Sequence, residues 1–544
     1  MNFERFYCSK ASFKNVQSVV QRDVLVREYC DPHFFIVNYV DVFYRIMNGN
    51  PRLLIVIFAV VLSCVWMMNR VVAWKGLGQP ILKFKKDRKL TSIALSTFVI
   101  PIVYQVCYLF NTDYSMGDSE DNFLFIAMML GYALLQMTVC IGLVVLMTDY
   151  KFELPKAPIR TDLISIILAI LIIGVFGTLR FINWVFPVLM TLIYLGNLFF
   201  KYRQNQAQIK SKEEAQKFAM QTEQEVLAVL KAERDLGFLN EEQAKRLQKL
   251  EPTKSLERKP TTKIQPTILQ ETKLWDQISN ELIDPEANTL INLSYLPVNL
   301  FMMLVIPYPS NPLKKTFYRL ILVAISAFWF FTVTFSEYLS ITAAAIFSLA
   351  FVFFYAASEM IPGMEEASNL FMDAVCVFGS ITVLRYWDMI VADIFEFLWF
   401  YFEIVRVVHY SILLVINLIL VDVFVQIYIA VQGKKPKVSV LTSYATTTFS
   451  TTIYLAVFTT LTMIDGRDKF VLFSERVGTV LTYVIHPRSR KYFKFLFILL
   501  LLTVMVTLLM LEKNYYTFNK RMARVLFGII GIFVGISVVY GFTI

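Results

Sequence analysis

Asp422 lies in ILLVINLILVDVFVQIYIAVQGKKP, residues 412–436, a stretch that otherwise reads as a membrane-spanning helix. A carboxylate at membrane depth is expensive, and such residues mark ion or proton sites by default. Two readings stand side by side. Asp422 is a residual site for a monovalent cation or proton, or it is a neutralised, hydrogen-bonded group facing Thr447, Thr448 or Thr452. The tract TTTFSTT, residues 446–452, offers hydroxyls that would line a pore. In membrane helices such hydroxyls more often bond to their own backbone or across a helix contact.

A second group of ionisable residues is Arg385, Asp388, Asp393 and Glu396 in RYWDMIVADIFEF. Asp388 follows Arg385 by three residues, on one helical face, so the two are expected to neutralise each other. Asp393 is a candidate second ligand, with a helix-end charge or an intersubunit ion pair as the plainer reading. His33, His409 and His486 are scattered, and the six cysteines form no CxxC pair, so neither a zinc site nor a redox motif is expected. No P-loop, HExxH, dinucleotide fingerprint or Ser-His-Asp set is visible, and an enzyme is not expected.

The elements that would position these residues are membrane helices. Of 544 residues, 57% are hydrophobic and 17% charged, with a mean hydropathy of +0.57. Twelve apolar segments approach the length of roughly 20 residues that crosses a bilayer. They lie near 52–72, 91–110, 123–147, 162–181, 183–200, 317–335, 338–357, 369–395, 407–431, 439–463, 493–511 and 523–543. The segment 292–307 is short and proline-marked, and reads as interfacial. Between the halves lies a polar insert, 201–291, whose first part has helix formers and apolar residues at helical spacing, such as Phe218, Val226, Val229 and Leu230. The tract PTKSLERKPTTKIQP then reads as a linker.

The net charge of +10 sits in short loops, a pattern that sets membrane orientation rather than one that binds nucleic acid. Counting spans puts loops 73–90, 148–161, the insert and the turn 432–437 on one side. The acidic loop 111–121 falls on the other, and so does 464–492, which is basic and breaks the pattern. The N-terminus lacks the apolar core of a secretory signal, and its Arg, Lys and Ser content is compatible with mitochondrial targeting.

Around Asp422 the chain resembles the second signature repeat of the cation/calcium exchanger superfamily, closest to the mitochondrial sodium/calcium exchanger branch. Asn417 to Asp422 fill its GNSIGD motif, Gln432, Gly433 and Pro436 its QG..P turn, and the Ser/Thr cluster its following helix. In the first repeat Thr97 to Ile102 fill GNGAPD with Pro101 on the motif's proline, downstream of Pro80. AMMLGYALLQMTVCIG resembles the glycine-rich partner helix and keeps Gly131 and Gly142; LVIP, 304–307, resembles the LTIP box. The closing hairpin 493–543 also fits, so the resemblance covers about 50 to 543 in architecture, with eroded motifs.

The resemblance implies an all-α polytopic membrane protein of about 12 transmembrane helices, an inverted-repeat exchanger-like fold with a long polar central insert. Its parts are an N-terminal arm 1–50, a first transmembrane half 51–200, the insert 201–291 and a second half 292–544. In such transporters broken or glycine-rich helices meet at the midplane and supply oxygens. Ca²⁺ takes about six to eight of them. The implied site here is Asp422, Thr452 at the family's Asn, Asp393 and Thr97. The first-repeat acid position holds Ile102, Phe98 and Val99 replace small or polar residues, Asn417 and Val421 replace glycines, and Leu418 and Ile419 replace ligands. Such a site is expected to take at most a monovalent cation.

The expectation is a protein that has lost Ca²⁺ transport and serves as an accessory subunit of a mitochondrial inner-membrane complex, the respiratory chain or ATP synthase. Its insert would be on the matrix side, and its partners would be lipids and other subunits. Bound lipids are expected; a cofactor and nucleic acid are not. The competing expectation is an antiporter using Asp422. A transporter needs Asp422 facing Thr97 and Thr452 across a hydrated cavity; a scaffold would have Phe98, Ile102, Leu418 and Ile419 filling that centre.

Overall fold

The computed structural model describes residues 51–88, 92–101, 119–148, 151–179, 181–235, 276–283, 289–334, 340–361, 363–401, 408, 411–412, 415–465, 471–472, 479–482 and 487–542. The arm 1–50, the linker tract, Ile102, all three histidines and the acidic loop up to residue 118 lie outside them. So do the side chains of Phe98, Val99, Arg385, Asp388, Asp393, Glu396 and Asn417, and those of the insert from residue 215 to 235.

The chain is helical nearly throughout its described length. In the first half α1 (Pro51–Val71) runs through a π-helical segment, Val72–Gly78, into α2 (Gln79–Asp87). Then come α3 (Ser92–Ala94) with the π segment Leu95–Val99, and α4 (Ser119–Leu135) with the π segment Gln136–Cys140 and α5 (Ile141–Met147). The strand β1 (Phe152–Glu153), α6 (Lys156–Leu179), β2 (Phe181–Ile182) and α7 (Val185–Asp235) follow.

The second half holds α8 (Thr289–Val305), α9 (Tyr318–Thr334), α10 (Ile341–Met360), α11 (Glu365–Tyr401) and α12 (Val415–Val431). Next are α13 (Pro436–Phe449), the π segment Ser450–Tyr454 and α14 (Leu455–Asp465). The strands β3 (Val471–Leu472) and β4 (Thr479–Thr482), α15 (Pro487–Lys513), β5 (Thr517–Phe518) and α16 (Lys520–Phe542) close the chain. Among the described residues, seven helices are long and apolar enough to cross a membrane. The chain is an all-α polytopic membrane protein.

Two boundaries differ from the sequence reading. Residue 162 was expected at the edge of a span, but α6 begins at Lys156, because Pro158 fits a first helical turn whose N–H groups have no helical partner. Residue 200 was the expected end of another span. Instead α7 runs on to Asp235, 51 residues and about 75 Å in all, so the start of the insert is the same helix carried beyond the apolar part.

Short strand pairs tie the ends of the bundle. Phe152 pairs with Phe518 across β1 and β5, with their rings stacked. Phe181 pairs with Thr482 across β2 and β4. β4 (Thr479–Thr482) therefore lies at the end of the bundle holding the turn after α6.

Two apolar cores share α12. Ile419 and Val423 join a core with α4 to α7, α13, α15 and α16, while Val421, Phe424 and Val425 join one with α1, α8 and α11. Asp422 stands between these two sets.

Candidate functional site

Asp422 is 1% exposed, at mid-length of α12. Its partner is Tyr132 of α4, whose hydroxyl donates to Asp422 Oδ2. Helical spacing puts Gln136 one turn beyond Tyr132 and Cys140 one turn further. Cys140 Sγ donates to Gln136 Oε1 at 3.0 Å, and its thiol is within electrostatic reach of Asp422. Gln136 is fully buried and its Nε2 has no partner among the described residues. One turn beyond Asp422, Gln426 is also buried, with its Oε1 unpartnered among the described residues.

Close backbone packing allows this meeting. A methyl group on Gly131, the residue before Tyr132, would collide with the carbonyl oxygen of Ser411. The glycine lets α4 approach the segment leading into α12 backbone to backbone. At the other end of α12, Ser439 Oγ donates to the Gln426 carbonyl at 2.9 Å and ties α13 to it.

The π segments gather here as well. Val72–Gly78 packs on α12 and α11, Leu95–Val99 on α13, Gln136–Cys140 on α12 and α13, and Ser450–Tyr454 on α4, α6 and α7. A π segment widens one helical turn, and such segments occur often at functional sites.

The other candidates do not close around the carboxylate. Thr97 is buried within the π segment Leu95–Val99, and Thr452 within Ser450–Tyr454. Thr452 Oγ1 donates to the Thr448 carbonyl at 2.5 Å, and Thr447 Oγ1 to that of Ser443 at 2.9 Å. Among the described residues no hydrogen bond joins Asp422 to Thr97, Thr447, Thr448 or Thr452. The sequence reading that Asp422 faces Thr447, Thr448 or Thr452 is corrected: its partner is Tyr132, because the threonine hydroxyls turn to their own helix. Asp393 falls on α11, with its side chain outside the described residues. Ile419 is buried in the core and Leu418 packs against it.

This arrangement can hold a proton, or at most a weakly bound single charge. It supplies one carboxylate, one phenol and the two amides of Gln136 and Gln426, against the about six to eight oxygens of a Ca²⁺ site. Among the described residues no three His, Cys, Asp or Glu side chains gather as metal ligands.

A second polar cluster was not foreseen from the sequence. Asp162 on α6 is 0% exposed and Lys201 on α7 is 2% exposed. Lys201 Nζ lies 2.6 Å from Asp162 Oδ1 and 2.7 Å from Oδ2. Asn197 Nδ2 donates to Asp162 Oδ1 at 3.2 Å and to Ser165 Oγ at 2.9 Å. Thr448 Oγ1, in the threonine tract of α13, is 3.1 Å from Asp162 Oδ1 while also donating to the Tyr444 carbonyl at 3.0 Å. The only sequence signal was a charge at each edge of two adjacent apolar runs.

Comparison with known proteins gives little. No family model matches the chain, and no curated protein matches it. One solved structure, titled "Crystal Structure of H+/Ca2+ Exchanger CAX", aligns with 92% of this chain and 88% of its own. The identity is 11% and the TM-score 0.40. A likeness at that level does not fix the register of any side chain.

Proposed function

We propose that this chain is an exchanger-like integral membrane protein that no longer moves Ca²⁺ through its centre. On this reading it serves as an accessory or structural subunit of a mitochondrial inner-membrane complex, the respiratory chain or ATP synthase. The observation that carries it is the state of Asp422: a lone buried carboxylate capped by the Tyr132 hydroxyl, with Ile419 and Val421 buried on either side. The mitochondrial assignment, and the insert's place on the matrix side, rest on the sequence resemblance. Lipids and partner subunits would cover the apolar outside, where Phe353, Phe354 and Met360 of α10 are exposed. The reading includes no catalysis, no cofactor and no nucleic-acid partner.

A second reading, a divergent cation/proton antiporter using Asp422, is favoured by a different observation. Buried amide atoms of Asn69, Gln136 and Gln426 lack partners among the described residues, and such groups call for a polar ligand. Flux and binding of Ca²⁺, Na⁺ and protons in liposomes, native chain against Asp422→Asn, separate the two. Absence of flux in both, with the chain recovered in a large assembly, is the expected result. Flux lost in Asp422→Asn would overturn the scaffold reading in favour of the antiporter.

A further inference from the structure

We propose that Lys83 and Lys314 hold the phosphate of an anionic phospholipid, at the end of the bundle that carries the turn after α12. The inference rests on one part of the functional reading, that lipid covers the outside of the bundle, and on nothing said there of transport. Lys83 lies on α2 and Lys314 in the short 3-10 turn Pro312–Lys315. Both ammonium groups face one acid, Asp373 of α11. Lys83 Nζ is 2.8 Å from Oδ2 and 3.0 Å from Oδ1, a close ion pair. Lys314 Nζ is 3.7 Å from Oδ1, beyond ordinary hydrogen-bond length. Two other acids at this end have cations of their own: Glu359 pairs with Arg319 at 2.7 Å, and Glu366 lies 3.7 Å from Arg88. Two ammonium groups sharing one carboxylate leave one positive charge uncancelled.

The charge that orients a membrane protein sits in solvated loops, where water screens it. Here the side chain of Lys83 is 30% exposed and that of Lys314 only 16%. Burial is the chief effect that disfavours the Lys314 ammonium, and Lys83 adds to it. An anion lodged between the two lysines relieves both effects. A phosphodiester fits that need: it carries one negative charge, and its two free oxygens accept from two ammonium groups. Basic pockets at the ends of membrane helices take lipid headgroups in this way. The neighbouring side chains favour a lipid over a free anion. Phe317, close after the 3-10 turn, and Met360 and Ile361, next to Glu359, are largely exposed apolar groups at the same end. A phosphate on the lysines places its acyl chains beside them. The turn after α12 adds further charge, because Gly433 packs against Leu82, the residue before Lys83, and brings Lys434 and Lys435 to this end.

The test uses the full chain, purified in a zwitterionic detergent and titrated with phosphatidylglycerol, phosphatidylcholine or inorganic phosphate in mildly acidic buffer, where both ammonium groups are charged. Native mass spectrometry counts bound lipid, and thermal unfolding reads the stabilisation. The native chain should bind phosphatidylglycerol more tightly than phosphatidylcholine. Lys83→Gln and Lys314→Gln should each weaken that binding about fivefold, while Lys314→Arg should keep it. Asp373→Asn removes the competing carboxylate, so it should bind phosphatidylglycerol more tightly than the native chain and gain more stability from it. Lys86→Gln, an exposed lysine of the same helix, should change the affinity by less than about twofold. No preference for the anionic lipid would overturn the proposal. An equal loss at Lys86→Gln would replace it with diffuse attraction to a basic face. Weaker binding in Asp373→Asn would show that the three side chains are a structural clamp, and inorganic phosphate binding as tightly as the lipid would show a free-anion site. If Lys314→Gln does not fold, Lys83→Gln and Asp373→Asn decide, and unchanged binding in both is a refutation. Flux is not measured, so failure here leaves the reading of Asp422 as it was.

Discussion

The Tyr132 hydroxyl donates to Oδ2 of Asp422, joining α4 to α12 across 290 positions of sequence. The bond is buried, sits between two apolar cores, and satisfies a group that would otherwise oppose folding in that place. It is a tertiary contact with a polar core of two side chains.

Removing both partners should therefore cost less than the two single removals added together. Tyr132→Phe leaves a buried carboxyl without its donor, at a cost of about 1–3 kcal/mol. Asp422→Leu removes the carboxylate that accepts from the phenol, at a similar cost. The double variant replaces both by apolar groups, and its loss should fall below the sum of the two by at least about 1 kcal/mol. Unfolding in detergent across the four proteins measures this coupling. Strict additivity would mean that the contact contributes nothing.

Close approach at Gly131 leads to a sharper expectation. A methyl group there meets the backbone oxygen of Ser411, and a helix-borne carbonyl has no rotamer by which to move aside. Gly131→Ala should destabilise the chain by about 1–3 kcal/mol, as overpacking does. It should also weaken the Tyr132–Asp422 bond, because α4 must move outward. Gly528→Ala is the control, since a methyl group at Gly528 of α16 has nothing within 4 Å. That variant should be neutral, or more stable by up to about 1 kcal/mol. Equal losses at both positions, in thermal unfolding, would show that helix packing is not what Gly131 serves.

How far these features were visible beforehand depends on their range. Asp422 stood out because one charge in an apolar run is a local signal. Gly131 was singled out, and the close approach it permits is seen at Ser411. Tyr132, its neighbour, gave no sign: a tyrosine in a membrane helix is ordinary until its partner is known, and that partner is far along the chain. Thr442, Thr447 and Thr448 of α13 bond their own backbone, as hydroxyls in helices do, but nothing in the tract says that Thr448 also reaches Asp162. Asp162 and Lys201 escaped for a different reason. Hydropathy ends a span where charge begins, so a charge carried inside one or two turns is assigned to the surface. Only the packing of α6 against α7 and α13 shows that the two charges are buried together.

At the end of the bundle that holds the turn after α12, Asp373 of α11 accepts from Lys83 at 2.8 Å and lies 3.7 Å from Lys314. Lys314, in the turn before α9 and outside the apolar spans, has its ammonium disfavoured chiefly by burial, with Lys83 adding to this and Asp373 opposing it. Its folded pKa is therefore lowered below the ordinary lysine value. A lysine so lowered binds fewer protons folded than unfolded across the interval between the two values, so stability should rise with pH there. Lys314→Met, which removes the titrating group, should flatten that rise in the alkaline range below 10.5, the ordinary lysine value. Asp373→Asn removes the opposing charge, deepens the lowering and should start the rise at a lower pH. Thermal midpoints of the three proteins measured from neutral to alkaline pH decide the matter. A native chain whose midpoint falls through that range as steeply as that of Lys314→Met would show that Lys314 is not charged at a cost in the fold.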